Sequence, residues 1–298
     1  MPTTFHPDLR GARFLPRLPL GPRTLKVVRR LEERSTRGAG VVVERAGPVK
    51  VRVFRPGGNE RKPALLWLHG GGMVMDSAWQ DDGFCRQASA ELGIVVAAVE
   101  YRVAPENPFP VPLDDCYAGL AWLADQSDVD STRIALGGGS AGGGLAAGLA
   151  LLARERGELR PVFQLLSYPM IDDRTTLRTD VDDRSLRIWG TRANEFGWRC
   201  YLGPTHRPGE ADVSPLAAPA RYDDLTGLPP AWLGVGTNDL FYDEDVAYAK
   251  RLVEAGVPCE LLEIPGAYHG FDGMQPKARV SRAFLRARLT ALKGALRP

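Results

Sequence analysis

Arg133-Ile-Ala-Leu-Gly-Gly-Gly-Ser-Ala-Gly-Gly-Gly-Leu-Ala-Ala-Gly148 carries an apolar run into a glycine cluster and leaves it through small apolar residues. That pattern predicts a strand over 134–136, an abrupt turn, and a helix from about Ala141. Inside the turn, Gly138-Gly-Ser-Ala-Gly142 fits the G-x-S-x-G arrangement. Lifting a serine hydroxyl above a sheet takes a turn too tight for a Cβ two residues to either side, and the serine itself sits in strained backbone. The following helix aims its unpaired N–H groups at the place where negative charge would develop. Ser140 is therefore the candidate nucleophile.

The same glycines allow other readings. Gly137, Gly139 and Gly142 satisfy G-x-G-x-x-G, the dinucleotide fingerprint, again between strand and helix. That motif needs an acidic residue at the end of the next strand. The next strand, expected over 162–166, runs into Ser167 and Tyr168 and meets no carboxylate until Asp172. A tight strand–helix turn without chemistry is the third reading.

The flanking chain alternates strand and helix. A hairpin is predicted from 41–43 and 49–54 around Gly47-Pro48. Residues 64–68 form a continuous apolar run, as in a strand buried on both faces, and end in His69-Gly-Gly-Gly72. Then come a helix over 79–92, a strand over 94–99, a helix over 113–125 and the serine turn. Later the alternation resumes with a strand over 231–236, a helix over 243–255, a strand over 258–264 and a helix over 277–296. This is an α/β fold with a parallel sheet and helices on both faces, and its ligand site belongs at the carboxyl ends of the strands.

Two segments fall outside the alternation. Residues 1–37 are arginine-rich; Pro16, Pro19 and Pro22 break the early part into extended pieces. A helix is expected from Pro22 to about Arg37, with Gly38 as its stop and a solvated arginine face. Residues 170–209 are charged, with scattered aromatics and no strand-like run. The expected organisation is an N-terminal cap segment over 1–37, a first core part over 38–169, a cap insertion over 170–209 and a second core part over 210–298.

With 298 residues, 44% hydrophobic and 25% charged, the chain suits a large globular domain. A net charge of +2 gives no reason to expect nucleic acid or an anionic membrane as partner. No apolar run spans a bilayer, and the N-terminal residues lack the pattern of a secretory signal. Asp8, Glu32 and Glu33 argue against a transit peptide. Cys85, Cys116, Cys200 and Cys259 are far apart, which suits reduced structural thiols, small buried hydrophobes, and a cytoplasmic setting.

Acyl transfer by a serine needs a base, an orienting acid and an oxyanion site. In this fold the order along the chain is serine, acid, histidine. Of the four histidines only His206 and His269 follow Ser140, and His206 lies in a Pro/Gly-rich loop with no strand before it. His269, just past the last strand, is the expected base, and activity is expected to fall on acidification. Asp239, after the strand over 231–236, is the expected acid; Asp243, Glu244 and Asp245 suit the first helical turn. The oxyanion donors are expected at Ala141, Gly71 and Gly72. His69 is expected to brace its loop. Met73, Met75 and Trp79 are candidates for the pocket wall or for plain core packing.

Taken together, these residues resemble the hormone-sensitive-lipase-like group of α/β-hydrolases, the bacterial family IV esterases. The resemblance runs from His69-Gly-Gly-Gly72 to His269-Gly-Phe271. It takes in Tyr101-Arg-Val-Ala-Pro-Glu106, the Ser140 turn, Ser167-Tyr-Pro169, Asp212-Val-Ser-Pro-Leu216, and Asp239 followed by Asp243-Glu244. It implies an α/β-hydrolase fold with an eight-stranded, mostly parallel sheet under a cap made by the N-terminus and the mid-chain insertion. It implies the catalytic set Ser140, Asp239 and His269, the oxyanion site Gly71, Gly72 and Ala141, no cofactor or metal, and small or short-chain acyl esters as substrates. An amidase, a deacetylase or a ligand-binding receptor on the same fold are the alternatives. Two positions depart from the family pattern. Gly139 stands where an acidic residue or threonine is common, which would leave a small void or a water beside Ser140. Leu240-Phe241 stands where Pro-Leu is common. Pairing of two last strands at sheet edges would give a homodimer.

Overall fold

The computed structural model describes residues 4–15, 20–35, 40–75 and 77–297. Its strands are the Val-, Leu- and Ala-rich runs: β1 Val42–Ala46, β2 Val49–Phe54, β3 Lys62–Leu68, β4 Val95–Glu100, β5 Val129–Gly139, β6 Phe163–Ser167, β7 Ala231–Asn238 and β8 Cys259–Tyr268. They form one eight-stranded sheet in the order β1-β2-β4-β3-β5-β6-β7-β8. The β1–β2 and β2–β4 pairings are antiparallel and the rest are parallel. The hairpin turns at Gly47, whose φ of 59° admits glycine without strain.

The helices are α1 Pro22–Ser35, α2 Asp82–Leu92, α3 Val111–Ala124, α4 Ala141–Arg156, α5 Thr191–Leu202, α6 Tyr242–Glu254, the single turn α7 Phe271–Met274, and α8 Arg279–Ala295. On one face of the sheet α3 packs on α4; on the other α2 packs on α8. Covered on both sides, Ala64, Leu65, Leu66 and Leu68 in β3 and Ala135 and Leu136 in β5 are fully buried. Their uninterrupted apolar sequence is what a two-sided strand requires.

The sheet fixes the site through register. In the parallel pairings Leu68 lies opposite Gly138, and Gly139 opposite Ser167, so the ends of β3, β5 and β6 sit side by side. The backbones approach so closely there that a Cβ on Gly142 would overlap the carbonyl oxygens of Leu68 and His69. A Cβ on Gly138 would overlap the Gly142 carbonyl. Gly138 and Gly142 are thus steric requirements of the crossing.

Outside the sheet the structure corrects several expectations. Residues 7–14 form a 3-10 helix, not an extended piece; Pro16, Pro19, Arg37 and Gly38 lie outside the described residues. Arg29 in α1 is not part of a solvated face. Its guanidinium donates to the carbonyls of Val74 and Ala104 and pairs with Glu106. Leu25 in α1 packs with Val74 and Ala104, and Phe196 and Cys200 of α5 cover the same small cluster. Cys85 and Cys116 are buried, while Cys200 and Cys259 are only partly so. Residues 170–209 hold a 3-10 segment, Asp173–Leu177, and α5. The buried Asp173–Arg221 ion pair ties this stretch to the chain just before β7.

The acidic run at the start of α6 also differs from a simple helix-dipole arrangement. Asp243 is exposed and pairs with Arg178. Glu244 is buried; it accepts from the N–H groups of Ile171 and Asp172 at 2.9 and 3.1 Å and bonds the Thr175 hydroxyl. Asp245 is fully buried. Desolvation pushes both buried carboxyls well above the usual carboxylate range.

Candidate active site

Ser140 stands at φ 57° and ψ −123°, between the last residue of β5 and the first of α4. Such backbone costs on the order of 1–3 kcal/mol and persists only where its surroundings over-determine it. Here the Ser140 N–H donates to the Ser167 carbonyl at 2.9 Å, and its own carbonyl accepts from Gly144 and Met170 at 3.0 Å each. The hydroxyl is thereby held above the carboxyl end of the sheet.

His269 and Asp239 arrive from the neighbouring strand ends. Asp239 follows β7; His269 follows β8, before the left-handed Gly270 at φ 67°. Ser140 Oγ lies 2.8 Å from His269 Nε2, and His269 Nδ1 lies 2.8 Å from Asp239 Oδ2. The second Asp239 oxygen accepts from the Phe241 N–H at 3.0 Å. With a carboxylate on Nδ1, that nitrogen carries the proton and Nε2 is free to accept from the serine. Ser140, Asp239 and His269 are 7%, 6% and 4% exposed, so this line of groups is nearly dry.

The imidazole is packed between aromatic edges. Tyr168 meets it at 5.0 Å between centroids and 66°, and Phe241 at 5.2 Å and 87°. Phe241, part of the departure at Leu240-Phe241, therefore supplies both an N–H to the acid and a ring to the base. Tyr168 within Ser167-Tyr-Pro169 and Phe241 in the Leu240-Phe241 departure are marked in the sequence, but their contacts with His269 are not, because these are made across strand ends.

Gly71 and Gly72, after β3, hold φ of 100° and 60°. The adjoining Gly70 runs so near the turn that a Cβ there would stand 3.5 Å from Ser140 Cβ. Ala141, the first residue of α4, is buried, and N–H groups of a first helical turn have no acceptor within the helix. Trp189, just ahead of α5, lies against Gly72. His69 is buried, stacks on Tyr101 at 4.1 Å and bonds the Gly70 carbonyl through Nδ1. Burial lowers its pKa and keeps it neutral; it braces the loop, as expected.

The wall candidates separate. Met73 is fully buried, with its methyl beside Gly144 of α4, as in core packing. Met75 borders the Leu25 cluster, and Trp79 is half-buried in the 3-10 turn Ala78–Asp81. At Gly139 an added Cβ would meet only Tyr168 Cε2, at 3.7 Å, so the space beside Ser140 admits a small side chain. Away from this site, His206, Glu210 and Asp212 bring one ligand atom each within 4.8 Å of one another on an open loop.

The family model for the α/β hydrolase fold matches residues 65–273. The chain belongs to this family, within its hormone-sensitive-lipase-like group of carboxylic ester hydrolases. It is 36% identical over 236 residues to esterase LipI of Mycobacterium tuberculosis, covering 76% of this chain and 72% of that one. It is 33% identical over 283 residues to carboxylesterase NlhH of the same species, covering 90% and 83%. A solved bacterial heroin esterase superposes with a TM-score of 0.89 at 38% identity, over 100% of this chain and 99% of that one. Among the described residues, no helix is long and apolar enough to cross a membrane.

Proposed function

We propose that this hydrolase is a serine carboxylesterase acting on small or short-chain acyl esters, with Ser140 as nucleophile, His269 as base and Asp239 as orienting acid. The observation that carries the reading is the unbroken Asp239–His269–Ser140 hydrogen-bonded line, 2.8 Å at each link, ending on a strained serine. Ser140 Oγ attacks the ester carbonyl as its proton passes to His269 Nε2. The carbonyl oxygen, now negative, takes hydrogen bonds from the N–H groups of Ala141, Gly71 and Gly72. His269 then protonates the departing alcohol, leaving an acyl-serine. Water repeats the two steps with His269 again as base, and Ser140 is released. Asp239 keeps the imidazole in the required tautomer and stabilises its cation. All of this is done by protein groups, without a cofactor.

In the same reading, residues 1–37 and 170–209 act as a cap over the core parts 38–169 and 210–298. The joint cover that α1 and α5 place on Val74 and Ala104 supports it. A homodimer through the β8 edge belongs to the proposal as well; β8 ends the sheet, and light scattering that gives a monomer at working concentration removes it.

The test is hydrolysis of p-nitrophenyl esters, acetate to decanoate, by the wild type and Ser140→Ala. Loss of a triad nucleophile lowers turnover by about a million-fold. A wild type active on the short esters and an inert variant support the reading. A variant as active as the wild type overturns it.

A further inference from the structure

Ile188 is β-branched yet holds φ 67°, and across it the Trp189 N–H donates to the Arg187 carbonyl at 2.7 Å. This is a γ-turn with positive central φ, a rare and strained form. Its surroundings enforce it. The Arg187 guanidinium donates to the carbonyls of Ala12, Arg184 and Leu186 and lies 4.9 Å above the Phe5 ring. Strain maintained in this way marks a side chain whose direction matters.

That side chain is Trp189. It is 3% exposed, and its Nε1 donates to Oδ1 of the fully buried Asn194 at 3.3 Å, which fixes the rotation of the ring. The far edge of the indole rests on Gly72, so that a Cβ there would overlap Cη2. The α5 backbone closes in behind it: a Cβ on Gly197 would stand 3.0 Å from the Gly72 carbonyl and 3.2 Å from the indole. Only a glycine at 72 leaves room for this ring.

The chemistry says what the ring faces, given the serine-esterase reading on which this step rests. The alcohol oxygen must lie beside His269 Nε2 to receive its proton. The carbonyl oxygen must lie among the Ala141, Gly71 and Gly72 amides. The acyl chain takes the remaining direction, away from His269. In the sheet, β3 with its glycine loop flanks β5 on one side, and β6, β7 and β8 follow on the other. His269 thus stands on the β8 side of Ser140, which leaves the side of β3, with Gly72 and the Trp189 ring, available to the acyl chain.

We infer that Trp189 is the end wall of the acyl subsite and sets the upper limit on acyl length. The ring, held by Asn194 and by the strained turn at Ile188, occupies the space that the distal carbons of a longer acyl chain would need. A methylene gained or lost in such a pocket changes selectivity by about 10-fold or more.

The experiment measures kcat/KM for p-nitrophenyl acetate, butyrate, hexanoate and octanoate with the wild type, Trp189→Ala and Trp189→Phe. A parallel series holds the acyl group as acetyl and lengthens the alcohol. The expected result is a rise of about 10-fold or more in the octanoate-to-acetate ratio for Trp189→Ala, a smaller rise for Trp189→Phe, and an unchanged alcohol profile. An unchanged acyl profile in folded variants overturns the assignment, and so does a shift confined to the alcohol series; the esterase reading survives both. A wild type inert on every ester overturns both together. Thermal melts establish that the variants are folded, and Trp189→Phe carries the test if Trp189→Ala does not fold.

Discussion

The hydroxyl of Tyr168 donates to Asp272 Oδ1 at 2.6 Å, and Asp272 lies one turn past His269. The tyrosine ring meets the imidazole edge-on, while its hydroxyl holds the segment that carries the imidazole. Arg288 completes the arrangement by pairing with Asp272 at 2.8 Å and lying over Phe84 and Phe284. Tyr168→Phe keeps the ring contacts and removes one bond to a buried carboxylate. The expected loss is about 1.5–3 kcal/mol of stability, read by urea denaturation, with kcat lowered and KM little changed. Equal kcat in the two proteins would remove Tyr168 as a positioning residue.

Gly139 and Gly142 flank Ser140 and should respond in opposite ways. A methyl at 139 meets only the Tyr168 ring at 3.7 Å, whereas a methyl at 142 collides with the carbonyls of Leu68 and His69. Gly139→Ala is expected to fold and melt within about 1 kcal/mol of the wild type, and Gly142→Ala to lose several kcal/mol or fail to fold. Thermal melts compare them directly.

Asp81 gives the fold a pH dependence of its own. Burial raises its pKa from 3.8 to about 6, against the opposing hydrogen bond from Trp67 Nε1 and the charge of Arg288, and with Asp272 and Asp82 adding to the rise. The folded carboxyl binds its proton more tightly than the unfolded one. Between 3.8 and about 6 the folded state therefore holds more protons, and stability falls as pH rises through that window. Asp81→Asn has no such proton to bind or release. Denaturant titrations at pH 4 and pH 7 should show the wild type losing ground to the variant at the higher pH; a constant difference counts against the assignment.

Glu244 anchors the start of the 170–209 stretch to α6. Glu244→Ala leaves the buried N–H of Ile171 and that of Asp172 without their acceptor, each at about 1–3 kcal/mol. Glu244→Gln retains an acceptor and should recover much of the loss. Urea midpoints of the two variants give the comparison, and equal midpoints would mean that the hydrogen bonds contribute nothing.

What could be read from the chain follows the range of the interactions. The turn at Ser140 is written in contiguous glycines, and the order of Ser140, Asp239 and His269 follows from where strands end. Each is a local signal, and the structure brings those three side chains together. Trp189 on Gly72 joins residues far apart in sequence, and nothing in Ile188-Trp189 announces a γ-turn. Glu244 carries the local signature of a first-turn acid, yet its partners are Ile171, Asp172 and Thr175. Arg29 is one of several arginines on α1, and only the packed structure shows which one reaches Val74 and Ala104.

The described residues nearest the start of the chain rest on elements near its end. The His6 N–H donates to the Gly266 carbonyl, two residues before β8 ends, and Asp8 accepts from the Val280 N–H across 272 positions. During synthesis, residues 6–8 leave the ribosome long before either partner exists. Their docking surface is complete only when β8 and α8 have been made, so this strap cannot close until synthesis has passed both. The loop bearing His269 is bracketed by those two contacts, so the early residues 6 and 8 clasp the chain on either side of the base.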